Sequence, residues 1–286
     1  TVNSFTVVSG TEATANVTFP INTPLGTLDP MVTNTAPGGG VAILPGGFSV
    51  TNPNPTVTSI NPTSAARGTP TTVTLTGTGF IAGVTTINAG SGITVGSITF
   101  VSSTELTVSF TTASDVSPGN RSVSASNPTP GGGTSGNQTY TITNPLPTLT
   151  SLAPTTGSLE QTLNVIFTGT GFSSSTTVSF VNPGITVNSV TFLSVTQLRA
   201  SVTIGPAAVT GLGAASVSNP APGGGAGNLP NDFLVNAPPT ATLVAITGTP
   251  RVGQVLLGVY TYNDAEGDLE GVPTFRWLRN GIAIGG

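Results

Sequence analysis

The chain has 286 residues, with six Lys+Arg against ten Asp+Glu, no His and no Cys; only 6% of residues are charged while 36% are hydrophobic, and the net charge is -4. All six cations are Arg (Arg67, Arg121, Arg199, Arg251, Arg276 and Arg279), too few and too scattered to track a phosphate backbone, so nucleic acid is excluded as a partner. Imidazole bases, thiolates, disulfides, lysine amines and the commonest zinc ligands are missing together, and no run approaches the roughly 18 apolar residues of a membrane helix.

Residues 1–51 read as the second half of a module whose complete form follows. TVNSFTVVSGTEATANV from Thr1 lines up with TVGSITFVSSTELTVSF from Thr94, an offset of 93, and APGGG from Ala36 lines up with TPGGG from Thr129. Half a sandwich leaves strand edges unpaired, and two completions stand open: further sequence in a longer tandem array, or neighbouring subunits that supply strands head to tail.

Residues 52–143 and 144–236 read as two complete copies of that module. NPNPTVTSINPT from Asn52 returns as NPLPTLTSLAPT from Asn144, an offset of 92. The same offset relates TGTGF at 76–80 and 168–172, ITVGSITFVSSTELTVS from Ile93 and ITVNSVTFLSVTQLRAS from Ile185, and SNPTPGGG from Ser126 and SNPAPGGG from Ser218. The first copy predicts strands near 56–60, 71–76, 84–88, 93–100, 105–110, 121–126 and 138–142. These are short runs of Val, Ile, Thr and Phe cut by Gly, Pro and Asn. In TTVTLT, Val73 and Leu75 share one face and threonines the other, as in a sheet buried on one side. Seven such strands in about 92 residues predict a two-sheet sandwich.

Within TGTGF, Gly77 and Gly79 suit a tight bend and Phe80 suits a plug at the end of the sandwich; Gly169, Gly171 and Phe172 repeat the pattern. The PGGG runs lack the lysine and the strand-to-helix setting of a phosphate loop, and read as connections between the last two strands of each module. Prolines at both NPxP junctions predict restricted swing between modules.

Residues 237–286 are a different sequence, the front part of another module. Asp264, Glu266, Asp268 and Glu270 alternate within one loop and offer hard oxygen ligands to calcium, the one ion the sequence suggests; a solvated acidic turn is the other reading. The EF-hand pattern is not met, because Leu269 stands where that loop needs Gly. Trp277 with Phe275, Tyr260 and Tyr262 could form a sugar-stacking platform, but a lone Trp in a strand such as TFRWLRN is usually part of a sandwich core, which is the expectation here. Asn16, Asn120 and Asn137 begin N-x-S/T sequons.

The Pro-rich entry strand, TGTGF and the VSSTELTVS strand together resemble the IPT/TIG group of immunoglobulin-like domains, over residues 52–143 and 144–236 in full and 1–51 in part. TPRVGQ, GVYTYNDAEGDLEG and TFRWLRNG in residues 237–286 look like another immunoglobulin-like repeat of bacterial secreted and surface proteins. The resemblance implies an all-β fold of tandem sandwiches in an extended array, at an extracellular or cell-surface location. No catalytic residue and no organic cofactor can be assigned, since no nucleophile has a base and no pair of carboxylates is set for acid-base work. The expected function is a non-catalytic structural protein that self-associates into a fibre, stalk or layer, by strand complementation between subunits in its sharpest form. The alternatives are a carbohydrate-binding or spacer region of a larger polysaccharide-active enzyme, and an adhesin stalk.

Overall fold

The computed structural model describes residues 1–20, 23–274 and 276–283; Phe275 lies outside them. The chain divides into two compact units, Thr1–Asn144 and Pro145–Gly286. Every regular element among the described residues is a strand, and no helix is long and apolar enough to cross a membrane.

In the first unit the chain opens with six short strands: β1 (Val2–Ser9), β2 (Glu12–Val17), β3 (Gly26–Leu28), β4 (Met31–Thr33), β5 (Val41–Ile43) and β6 (Phe48–Val50). They pair as isolated ribbons, β1 with β2, β3 with β6 and β4 with β5. No described side chain in residues 1–51 is buried, and Phe5 is 69% exposed.

The sandwich of this unit is built from β7 (Thr56–Asn61), β8 (Ser64–Ala66), β9 (Thr71–Thr78), β10 (Thr86–Asn88), β11 (Ile93–Ser102), β12 (Glu105–Thr112), β13 (Gly119–Asn127), β14 (Gly133–Thr134) and β15 (Gln138–Thr143). One sheet runs β11-β12-β9-β7, and the other runs β10-β13-β15-β8 with β14 added beside β13. Register follows the alternation read from sequence: Val73 faces Val108 across the ladder and Leu75 faces Leu106, all four buried, while Thr74 and Thr107 pair on the other side. Phe80, Phe110, Val123 and Tyr140 complete the core, with the Phe110 and Tyr140 rings edge to face at 5.3 Å.

The second unit repeats the plan with β16 (Thr148–Ala153), β17 (Thr156–Ser158), β18 (Thr162–Thr170), β19 (Thr177–Phe180), β20 (Ile185–Ser194), β21 (Gln197–Ile204), β22 (Gly211–Asn219) and β23 (Gly225–Asn236). The sheets are β16-β18-β21-β20 and β17-β23-β22-β19. β24 (Thr240–Thr247) and β25 (Leu257–Asn263) then form a ribbon, followed by the short pair β26 (Leu278–Arg279) and β27 (Ile282–Ala283).

All seven predicted strands of the first copy are present, and short ones such as β8, β14 and β17 escaped the sequence reading. β8 and β17 are three residues each and pair in parallel with the last strand of their own module, Ser64 beside Thr141 and Thr156 beside Leu234. The entry segment thus crosses from one sheet to the other, at Pro62 in the first module and Pro154 in the second. PGGG joins the last two strands of the first module as expected: β13 pairs antiparallel with both β14 and β15 around it.

Tyr140 has no counterpart phenol in the second module, where register places Phe233. Burial holds the Tyr140 hydroxyl above the usual phenol pKa, a shift moderated by its hydrogen bond with Thr71. The folded state therefore favours the neutral phenol. Its contribution is complete below about pH 10, the unfolded value, and is lost as pH rises through the raised folded-state pKa. Tyr140→Phe is expected to flatten the alkaline limb of the first module's stability curve and leave the second module's unchanged, as read by denaturant unfolding above pH 10.

Candidate functional site

Two places gather polar side chains: a buried amide at the end of each sandwich, and the acidic loop after β25. Asn127, 4% exposed at the last position of β13, donates from Nδ2 to the carbonyls of Pro53 (2.9 Å) and Gly79 (2.8 Å), while its Oδ1 accepts from Thr85 Oγ1 at 2.7 Å. Thr85 Oγ1 in turn accepts from the Ile81 amide at 2.8 Å. One side chain thus ties the entry segment, the TGTGF bend and the following turn to β13. Every hydrogen-bonding site on the amide used here has a partner, as burial requires.

Asn219, 3% exposed, repeats the node in the second module. Nδ2 donates to the carbonyls of Pro145 (2.8 Å) and Gly171 (2.7 Å), and Oδ1 accepts from Thr176 Oγ1 at 2.5 Å. Sequence reasoning missed both residues, although their signal was present: an Asn directly before each PxPGGG, at the common offset of 92. The partner threonines depart from that offset, 85 matching 176 rather than 177, so the turn after TGTGF is one residue shorter in the second copy. A second amide, Asn52, holds the PGGG loop itself, donating from Nδ2 to Pro128 O and pairing its backbone with Pro130 O and the Gly132 amide, each at 2.8 Å.

The glycines of TGTGF make the node possible. A Cβ on Gly77 would fall far inside van der Waals contact distance of the Thr56 carbonyl oxygen and lie 2.9 Å from Phe80 Cζ; on Gly169 it would meet the Thr148 carbonyl and lie 2.7 Å from Phe172 Cζ. Gly79 and Gly171 have φ of +73° and +72°, the left-handed conformation that turns their carbonyls toward the buried amides. Phe80 and Phe172, 1% and 2% exposed, then close the core beneath.

The acidic loop is organised around Asp264, whose Oδ1 accepts from the amides of Glu266 (3.0 Å) and Asp268 (2.9 Å). Asp268 Oδ2 accepts from Asn236 Nδ2 at 2.6 Å, Glu266 Oε2 accepts from the Ala237 amide at 3.2 Å, and Glu270 accepts from the Tyr260 hydroxyl. Among the described residues no three acidic side chains group to hold a metal ion, so the structure does not bring Asp264, Glu266, Asp268 and Glu270 together as calcium ligands. The reason is local: once Asp264 turns inward to bind the loop's amides, Glu266 and Asp268 engage residues 236 and 237 and Glu270 engages β25.

Trp277 is 45% exposed and lies just before β26, which corrects the reading of it as sandwich core. Two sequon residues already serve as acceptors: Asn16 Oδ1 takes a bond from Asn3 Nδ2 and Asn120 Oδ1 one from Thr141 Oγ1, both at 2.9 Å. Arg67 is buried and donates from Nη1 to Val116 O at 3.1 Å; desolvation lowers its pKa, partly offset by Asp115.

Paired layers of four or five strands, the parallel entry strand and the TGTGF bend define tandem immunoglobulin-like β-sandwiches. Residues 147–234 match the family model described as IPT/TIG domain, and residues 54–129 match that of quinohemoprotein amine dehydrogenase, alpha subunit domain III. The IPT/TIG match falls on the second module, and the first module has the same four-stranded order in its first sheet. No curated protein matches it. Similar solved structures include the Yersinia pseudotuberculosis adhesin InvE, at 17% identity and TM-score 0.39, covering 63% of this chain and 58% of that one. The Escherichia coli adhesin FdeC is similar at 18% identity and TM-score 0.31, covering 75% and 74%. SGBP-B from a complex xyloglucan utilization locus in Bacteroides uniformis is similar at 14% identity and TM-score 0.26, covering 68% and 56%.

Proposed function

We propose that the chain is a non-catalytic scaffold of the cell surface or extracellular space, contributing serial β-sandwiches to a fibre, stalk or layer. The observation that supports this reading is the pairing of two complete, node-locked cores with a side-chain repertoire that has no imidazole, thiol or amine to drive turnover. On the same reading, residues 1–51 are a C-terminal half-module and residues 237–286 the front of a different immunoglobulin-like module. Single-molecule extension is expected to show two discrete unfolding events, each releasing about 300 Å of chain, the contour length of about 90 residues. Gradual extension without steps, or a purified chain that turns over a substrate, would overturn the scaffold reading.

A second reading, retention of a polysaccharide, is favoured by the exposure of Trp277, because an uncovered indole face suits a pyranose ring. Affinity electrophoresis in starch, chitin and cellulose separates the two. Retardation by one of these glycans that disappears in Trp277→Ala supports the second reading, and unchanged migration in all three removes it.

A further inference from the structure

The sheet edges of the two complete modules are unequal. In the first module β8 and β10 are three residues long and β7 is six, bracketed by Pro55 and Pro62; in the second, β17 has three, β19 four, and β16 six between Pro147 and Pro154. Short or proline-bounded edges resist pairing with another chain. The remaining edges, β11 and β20, are each ten residues long, contain no proline and no charged residue, and have a neighbour on one side only. β1, at the equivalent repeat position, is also free of charge and proline and also pairs on one side only.

These strands also leave the core open at its margin. Ile98 and Phe100 lie across from Val108 and Leu106, and Val190 and Phe192 across from Ala200 and Leu198, all four partners being buried. Yet Ile98 is 37%, Val190 36% and Phe192 40% exposed. Bulges interrupt β11 between Val95 and Ile98 and again between Phe100 and Ser102, and β20 between Val187 and Ser189 and again between Phe192 and Ser194, so the regular stretches available for pairing are the short segments 98–100 and 189–192.

We propose that the β11 and β20 edges are self-association surfaces, each pairing antiparallel with the same strand of a second copy of this chain. The sequence around each is self-complementary. A two-fold axis through Thr99 sets Ile98 opposite Phe100 of the second copy, and one through Thr191 sets Val190 opposite Phe192, so each half-exposed apolar residue meets another on the core side. Two four-stranded sheets then become one of eight, with no charge brought against its like. Any strand can satisfy an open backbone edge; a second copy is singled out because it offers this apolar pair in register, carries little net charge, and presents the motif at β1, β11 and β20. The inference rests on the scaffold reading for its biological use and on the edges alone for its geometry.

The test uses the full chain with Thr6, Thr99 and Thr191, all exposed, changed together to lysine, which sets like charges against each other at the two-fold axes. Sedimentation velocity from micromolar to millimolar concentration is expected to show reversible association by the native chain. In the triple variant it should be weakened at least about tenfold with the thermal midpoint kept. A second variant avoids dependence on folding under added charge: with no native cysteine, Thr99→Cys supplies a single thiol at an axis, and should oxidise to a disulfide dimer far faster than Thr111→Cys on the neighbouring strand. A native chain that stays monomeric throughout, association unaffected by the three lysines, or equal oxidation of the two cysteine variants would overturn the proposal. None of those results would restore a catalytic reading, and turnover by a monomeric chain would defeat both.

Discussion

Asn127→Ala is expected to destabilise the first sandwich by about 3–5 kcal/mol, among the larger effects a single substitution produces. The change leaves the part-buried carbonyls of Pro53 and Gly79 without their amide donor and removes the acceptor of the buried Thr85 hydroxyl. Each buried group left without a partner costs about 1–3 kcal/mol, far more than the bond itself contributes when made. Asn127→Asp keeps the shape but offers no donor when ionised, so at neutral pH it should be at least as damaging; some stability should return in acid, as the carboxyl gains a proton to donate. Denaturant unfolding that resolves the two modules is the measurement. Asn219→Ala should lower the other transition instead. A loss below about 1 kcal/mol at either site would mean that the end of the sandwich is held by something other than the buried amide.

The second large effect separates two glycines only two positions apart. Gly77→Ala drives a Cβ into the Thr56 carbonyl and against Phe80, and relief requires β7 to move away from β9. A loss of about 3 kcal/mol or more is expected, as for overpacking that displaces backbone. Gly79→Ala meets the Asn54 carbonyl at 3.0 Å, a contact that small shifts relieve, and mainly bears the left-handed φ, worth about 1–2 kcal/mol. Thermal unfolding of the two variants should therefore rank Gly77 well above Gly79. The reverse order would place the motif's importance in backbone conformation rather than in the closeness of the two strands.

The contrast between Val73 and Asn127 explains what was legible in the sequence. Val73 and Leu75 stand in strict alternation with threonines, and period-two patterning alone assigns their strand and face. Asn127 is polar and ends a strand, so local rules send it to the surface; only the folded chain brings Pro53, 74 residues away, within reach of its amide. β8 and β17 were unreadable for a related reason, since three residues carry no period and their partner is the last strand of the module. The acids at 264 to 270 pose a different problem. Their spacing is compatible with ion binding, but where each carboxylate points depends on Asp264 closing the loop and on residues 236 and 237 lying beside it. Trp277 was misjudged because a Trp in a sandwich is usually enclosed by the opposing sheet, and the residues described around it form only two-residue strands.

The parallel pairing of the entry strand with the final strand has a mechanical meaning. Ser64, Ala65 and Ala66 lie beside Thr141, Ile142 and Thr143; the chain reaches the first trio after β7 and leaves the module through the second. Tension carried along the polypeptide drags these two segments lengthwise past each other, loading their hydrogen bonds in shear at the same moment rather than peeling them one at a time. Each repeat is therefore fastened in shear between its entry segment, just past β7 or β16, and its last strand.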